Sequence, residues 1–211
     1  MAFIVGAGSK PVTKKELIPA DMYIARCYSI IDLGTQEVLD QTSKEMVLKH
    51  QVYIGWELDC YMQEPGDNQG KPFVKGKTYK VSSHEKANLR KDIEAVRGKM
   101  TDDEARVFDL ETLLNTYATF TVVHAPDKND PETIWANVST MSPYNAKIGK
   151  KFEAINPNIF FDMSEQDTGK LIASYQSIPK NYKWVREIIQ KSAEWDTLRM
   201  FLEGTEIKAP Y

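Results

Sequence analysis

Lys75, Lys77 and Lys80 alternate with Phe73 and Tyr79 in FVKGKTYK (Phe73–Lys80), and the basic run continues through SSHEKANLRKDIEAVRGK to Lys99. From Lys75 to Lys99 there are eight Lys or Arg against three acids (Glu85, Asp92 and Glu94), a local charge of +5 in a chain whose net charge is −3. Ammonium groups neutralise phosphates and ring faces stack on bases, so lysines interleaved with aromatics have the chemistry that grips a single strand. The acidic average does not oppose this, because what counts is a clustered basic face. Each feature also has a plainer use: Tyr and Phe favour strands, and lysines guard strand edges against aggregation.

Other chemistry is poorly supported. GKPFVKGKT (Gly70–Thr78) ends like a phosphate-binding loop, but it has one residue too many before GK, and strand-like TYKVS follows where a helix must open. GAGSKP (Gly6–Pro11) puts Pro11 where a dinucleotide loop needs glycine. His50, His84 and His124 have no HxH or HExxH spacing. His50 falls on the apolar face of a strand and reads as a core histidine. Acid pairs such as Asp102–Asp103 stand in turns, where Asp serves the backbone. No GxSxG occurs, and neither cysteine has a neighbouring base. The residues therefore suggest a protein without catalytic residues, metal or cofactor.

The 211 residues, 42% hydrophobic and 27% charged, suit one domain with an extension or two small domains. Two cysteines, Cys27 and Cys60, without a CxxC pair argue for a reducing compartment. The apolar start AFIV is too short for a signal peptide, and no run reaches membrane-span length. A cytoplasmic protein without a membrane partner is expected.

The elements that must position the basic run can be read in order. Residues 1–20, with Gly6, Gly8, Pro11 and Pro19, read as a flexible arm. MYIARCYSIIDL (Met22–Leu33) is a strand, and GTQEVLDQTSKE (Gly34–Glu45) a polar loop. MVLKHQVYIGWELDCYM (Met46–Met62) is a long strand by its period of two. Leu48, His50, Val52, Ile54, Trp56 and Leu58 should face a core; Lys49, Gln51, Tyr53, Gly55, Glu57 and Asp59 should face water or a ligand. QEPGDNQGKP is a turn, and FVKGKTYKVSS a third strand. Ser82 and Glu85 have capping-box spacing, so a helix should run from there to about Arg97, with Gly98 closing it. Leu89, Ile93 and Val96 form its apolar stripe. Thr101 and Glu104 repeat the capping signature, and FDLETLLN is a short helix or turn. YATFTVVHA and TIWANVSTM are strands.

Three strands, a helix and two strands is the order of the OB-fold, a small five-stranded Greek-key barrel. A generic α+β sheet fits the same order. The expected class is mainly β with α additions: an OB domain over 21–145 and a C-terminal extension over 146–211. Within the extension, Ile178–Gly204 has apolar residues at helical spacing and reads as an amphipathic helix packed on the barrel, or as an oligomer or partner surface.

An OB barrel binds single strands across its second and third strands. That surface offers Lys49 and Tyr53, then Lys75 and Lys77, or Thr78 and Lys80, according to register, with Phe73 and Tyr79 nearby. Arg26 and Tyr28 join from the first strand and Trp135 from the fifth.

IDLGTQ (Ile31–Gln36), GWELD (Gly55–Asp59), SSHEKANLRKDIEAVRGK (Ser82–Lys99) and FDLETLL (Phe108–Leu114) resemble a family of tailed-bacteriophage OB-fold proteins. The resemblance covers about Met22 to Tyr144, and the later KSAEW is similar too. It implies sequence-independent single-stranded-DNA binding in phage replication or recombination, in the host cytoplasm. One departure is the ending GTEIKAPY, which lacks the acidic tail through which many such binders recruit replication proteins. Single-stranded DNA is thus the expected partner. Replication or recombination proteins and further copies of the chain are left open. The alternative is an OB-fold protein-interaction or assembly module without nucleic acid.

Overall fold

β1 (Met22–Leu39) and β2 (Met46–Tyr61) pair antiparallel from Ala25↔Leu58 to Leu39↔Met46, forming a long ribbon of β-branched and aromatic residues. The computed structural model describes residues 16–40 and 43–206. β3 (Pro72–Lys80) pairs with β2, β4 (Tyr117–Pro126) with Met22–Arg26 of β1, and β5 (Ile134–Pro143) with β4, all antiparallel. The order is β3-β2-β1-β4-β5, so β3 and β5 are the edges of an open sheet. A short β6 (Ile159–Phe161) runs parallel to β1 at Ser29–Ile31, just beyond the stretch that β4 occupies. β1 is thus bonded along one edge to β4 and then to β6. Register shifts at Cys27/Ser29 and Asp32/Gly34 mark irregularities of the kind that bend a strand. The protein is mainly β, with helices added.

Two apolar clusters sandwich the sheet. The first joins Val52, Ile54, Trp56 and Leu58 of β2 to Phe73, Tyr79, Phe120 and Val122. It is covered by α1 (Asn88–Arg97), whose Leu89, Ile93 and Val96 are buried as their spacing predicts. The second joins Tyr28, Ile31, Leu33 and Tyr53 to β6 and to α3 (Thr168–Ser177), α4 (Lys183–Ile189) and α5 (Trp195–Glu206).

The second cluster accounts for most departures from the sequence reading. The presumed wet face of β2 is covered along its middle, where Tyr53 is 6% and Glu57 0% exposed, while Lys49 stays exposed. The expected single helix Ile178–Gly204 is two helices, broken where Ala193 N–H donates to the Thr35 carbonyl (3.0 Å) and Glu194 accepts from the Thr35 N–H (2.8 Å) and hydroxyl (2.6 Å). β1 continues through Gly34–Leu39, which had read as loop. That ribbon outruns the first core, so Leu48 is 65% exposed, and His50, expected in the core, is exposed and paired to Asp32 (2.8 Å).

α1 starts at Asn88, not Ser82. Ser82 Oγ accepts from His84 N–H (3.3 Å) in a turn, and Ala87 caps without a side-chain bond. Gly98 closes α1 at a φ of 99°, and α2 (Asp102–Arg106) carries the expected Thr101–Glu104 capping box. Of the expected N-terminal arm, residues 1–15 lie outside the described residues. Ile18 belongs to the first core, and the Glu16 carboxylate accepts from the Gln63 N–H at 2.8 Å.

Candidate nucleic-acid interface

The β2–β3 register decides which basic residues share a face. Gln51 stands opposite Lys80 and Tyr53 opposite Thr78, whereas Val52 meets Tyr79, Ile54 meets Lys77 and Trp56 meets Lys75. Lysines 49 and 80 therefore lie on the Tyr53 side of the sheet. Lys75 and Lys77 lie on the opposite side, with Phe73 and Tyr79. The basic residues of β3 split between two depressions.

Five of the residues singled out from sequence do not reach solvent as free contacts. Tyr28, Tyr53, Phe73 and Tyr79 are 2–6% exposed and belong to the two cores. The Tyr28 hydroxyl meets that of Tyr182. Burial raises the Tyr28, Tyr53 and Tyr79 phenols well above their ordinary value, so they stay neutral. Arg26, 1% exposed, is the most changed. Its Nε donates to Glu57 Oε1 (2.6 Å), Nη1 to Asn115 and Asn158 (2.7 and 2.8 Å) and Nη2 to the Asn156 carbonyl (2.6 Å). Glu57 Oε2 accepts from the Asn156 N–H (2.8 Å) and side-chain amide (2.7 Å). A buried ion pair holds only when its remaining groups are bonded too; here they fasten the Asn156–Asn158 segment that leads into β6.

On the Tyr53 side, Lys49 of β2, Lys80 of β3 and Lys86 of the β3–α1 loop converge on a groove of about 690 Å³, together with Thr78, Ser82 and His84. All three lysines are exposed, and among the described residues none is in an ion pair; Asp40 is the one acid in the lining. Next along this face, Trp184 of α4 lies edge-on against Tyr53, ring centroids 5.0 Å apart, and remains 43% exposed. Trp184 was missed as a site residue because its helical spacing marks it as packing; only the fold brings it to β2.

On the other side, a cleft of about 400 Å³ separates the edges of β3 and β5. Trp56 and Phe120, tilted rings 5.1 Å apart, contribute to its lining. Lys75 reaches across to the Ala136 carbonyl, while Lys77 pairs with Asp92 (2.7 Å) and lies 4.8 Å above the Tyr79 ring. Trp135, 52% exposed, stands on β5 with its Nε1 donating to Asp127 (2.9 Å).

Much of the charge between Lys75 and Lys99 is thus structural. Arg90, 6% exposed, pairs with Glu94 (2.9 Å) and Asp102 (2.6 Å), and Lys99 also reaches Glu94 (2.9 Å). The Arg90 and Lys99 bonds hold the Glu94 carboxyl down to about 2. Arg97 covers the Phe108 ring at 4.8 Å. Lys80 and Lys86 are the part of the cluster that the groove takes up. Among the described residues no group of His, Cys, Asp and Glu is placed to hold a metal ion, and no helix is long and apolar enough to cross a membrane. The chain matches no family model, no curated protein and no solved structure.

Proposed function

We propose that this protein binds single-stranded DNA without sequence preference, as a non-enzymatic component of phage DNA replication or recombination. The observation that carries the reading is the groove where Lys49, Lys80 and Lys86, from three different elements, converge outside any described ion pair in a chain of net charge −3. Phosphates are common to every sequence, and the exposed Trp184 indole, packed against Tyr53 on the same side of the sheet, gives bases a sequence-tolerant stacking surface. We read the fold as an OB-type barrel left open along the β3–β5 seam. The strand order, the irregular β1 shared among β2, β4 and β6, and the helix between β3 and β4 support that reading.

The test is titration of labelled oligo-dT, and of a duplex of equal length, across a range of salt. Binding to the single strand should weaken with a log–log slope of about −0.7 per phosphate contacted. Replacing Lys49, Lys80 and Lys86 by Ala should flatten that slope by about 2 and weaken all oligonucleotides alike. No binding at low salt would overturn the reading in favour of an assembly module. The exposed Leu39, Met46 and Leu48 at the ribbon end would then be its first candidate surface.

A further inference from the structure

The groove on one face of β3 and the cleft on the other share Tyr79 as a lining residue. They are neighbours because β3 is an edge strand: a chain lying in the groove has only the rim of one strand to cross before it meets the cleft. The cleft has a composition the groove lacks. Trp56 and Phe120, 4% and 2% exposed, border it from the core, half-buried Met141 joins the lining, Lys75 and Lys77 stand on the β3 wall, and Asn137, Ser139 and Thr140 stand on the β5 wall. The Asn137 amide makes no hydrogen bond among the described residues and is exposed. Amides and hydroxyls each donate and accept, so this wall can satisfy the edge of any base. The volume of about 400 Å³ falls within the range that encloses small ligands.

We propose that the β3–β5 cleft is a nucleobase subsite: one base of a strand bound in the lysine groove turns over the β3 edge and inserts between Lys75/Lys77 and Asn137–Thr140. This rests on the single-strand reading above and adds a place where one base leaves the stack. The occupant is a base and not a peptide strand because the cleft opens beside the groove's free cations, and because Lys75 already spans from β3 to the β5 carbonyl of Ala136, where an added strand would have to run. The Lys77–Asp92 pair bounds the helix side. A phosphate following the inserted base can recruit Lys77 from that exposed pair at little cost, since such pairs contribute little in water.

The experiment uses the full chain with oligo-dT and with an abasic oligomer of the same length. Thr140→Phe, at the cleft wall, should lower oligo-dT affinity about tenfold, the net worth of one or two hydrogen bonds to a base, and leave abasic affinity unchanged. Lys80→Ala should lower both. If the wild type binds oligo-dT and Thr140→Phe, folded by circular dichroism, binds it equally well, the subsite is overturned while the groove stands. If the wild type binds no strand, both fall. A photocrosslink from oligonucleotides carrying 5-iodouracil gives a readout independent of folding in the variant. Adducts on the cleft residues Asn137–Met141 are expected; adducts confined to Trp184 would overturn the cleft.

Discussion

A Cβ placed on Gly34 would stand 2.6 Å from the Cβ of Ser192, so the bend in β1 and the turn between α4 and α5 fit only while Gly34 has no side chain. Gly34 also holds a φ of +72°, a conformation that glycine adopts without strain. IDLGTQ and KSAEW, far apart in sequence, are the two halves of this one contact, to which Thr35 and Glu194 add two hydrogen bonds. Gly34→Ala should destabilise by about 1–3 kcal/mol, read as a lower urea midpoint. An unchanged midpoint would mean that the turn does not dock there.

Arg26 is expected to behave as a structural residue. Arg26→Met strands the fully buried Glu57 carboxylate, and loss of one member of such a pair costs about 3–5 kcal/mol. The double variant Arg26→Met/Glu57→Leu should lose less than the single one. The fraction of Arg26→Met that remains folded should bind oligo-dT as the wild type does; a selective loss of DNA affinity would return Arg26 to the interface.

His50 makes the extension's docking sensitive to pH. The hydrogen bond to Asp32 raises its pKa above the ordinary 6.5, with Glu194 and Asp162 adding to the effect and partial burial opposing it. A raised folded value means that the contribution is complete below pH 6.5 and is lost as pH rises through the folded value. The urea midpoint should therefore fall as pH rises above 6.5 in the wild type, and by less in His50→Gln. Equal slopes in the two proteins would remove His50 from the account.

At the acid end the sign reverses. Glu94, held near 2 by Arg90 and Lys99, contributes stability above its ordinary 4.5 and loses it as pH falls towards the folded value. Glu94→Gln should be less stable than the wild type at neutral pH, and the gap should narrow on acidification. A gap that does not change with pH would assign the loss to packing.

Trp184→Ala should weaken oligo-dT binding about tenfold, one stacked base at the low end, with the salt slope unchanged, since no phosphate contact goes. A changed slope would mean that the variant also disturbs the lysine groove.

What could be read from sequence follows from how far along the chain each cause lies. The core side of β2, Val52 to Leu58, was visible because alternation records a local amphipathic face. So were the stripe of α1 and the Thr101–Glu104 cap, each set within one or two turns. The burial of Tyr53 was not visible, because its cover, Tyr182 and Trp184, comes from a distant helix. Arg26 misled for the same reason: Asn156 and Asn158, which consume its donors, stand far along the chain. Placement of Lys75 and Lys77 against Thr78 and Lys80 needed the β2–β3 register, with its shift between Glu57 and Tyr61. The groove was half legible: Lys49 and Lys80 were named, while Lys86 stood only within the basic run and Trp184 within an apolar helical stretch.

The division of one β1 edge between β4 and β6 has a consequence for synthesis. The outer face of β1 at Tyr28 waits for Ile189, about 160 residues later, which at about 5–20 residues per second is roughly 8–32 s of translation. Until Phe161 is made, about 130 residues after Ile31, the β1 backbone at Ser29–Ile31, which β6 later occupies, is an open strand edge. A growing chain therefore spends its time on the ribosome with its longest strand half dressed, and crowded polysomes are where this protein is most exposed to pairing with its own neighbours.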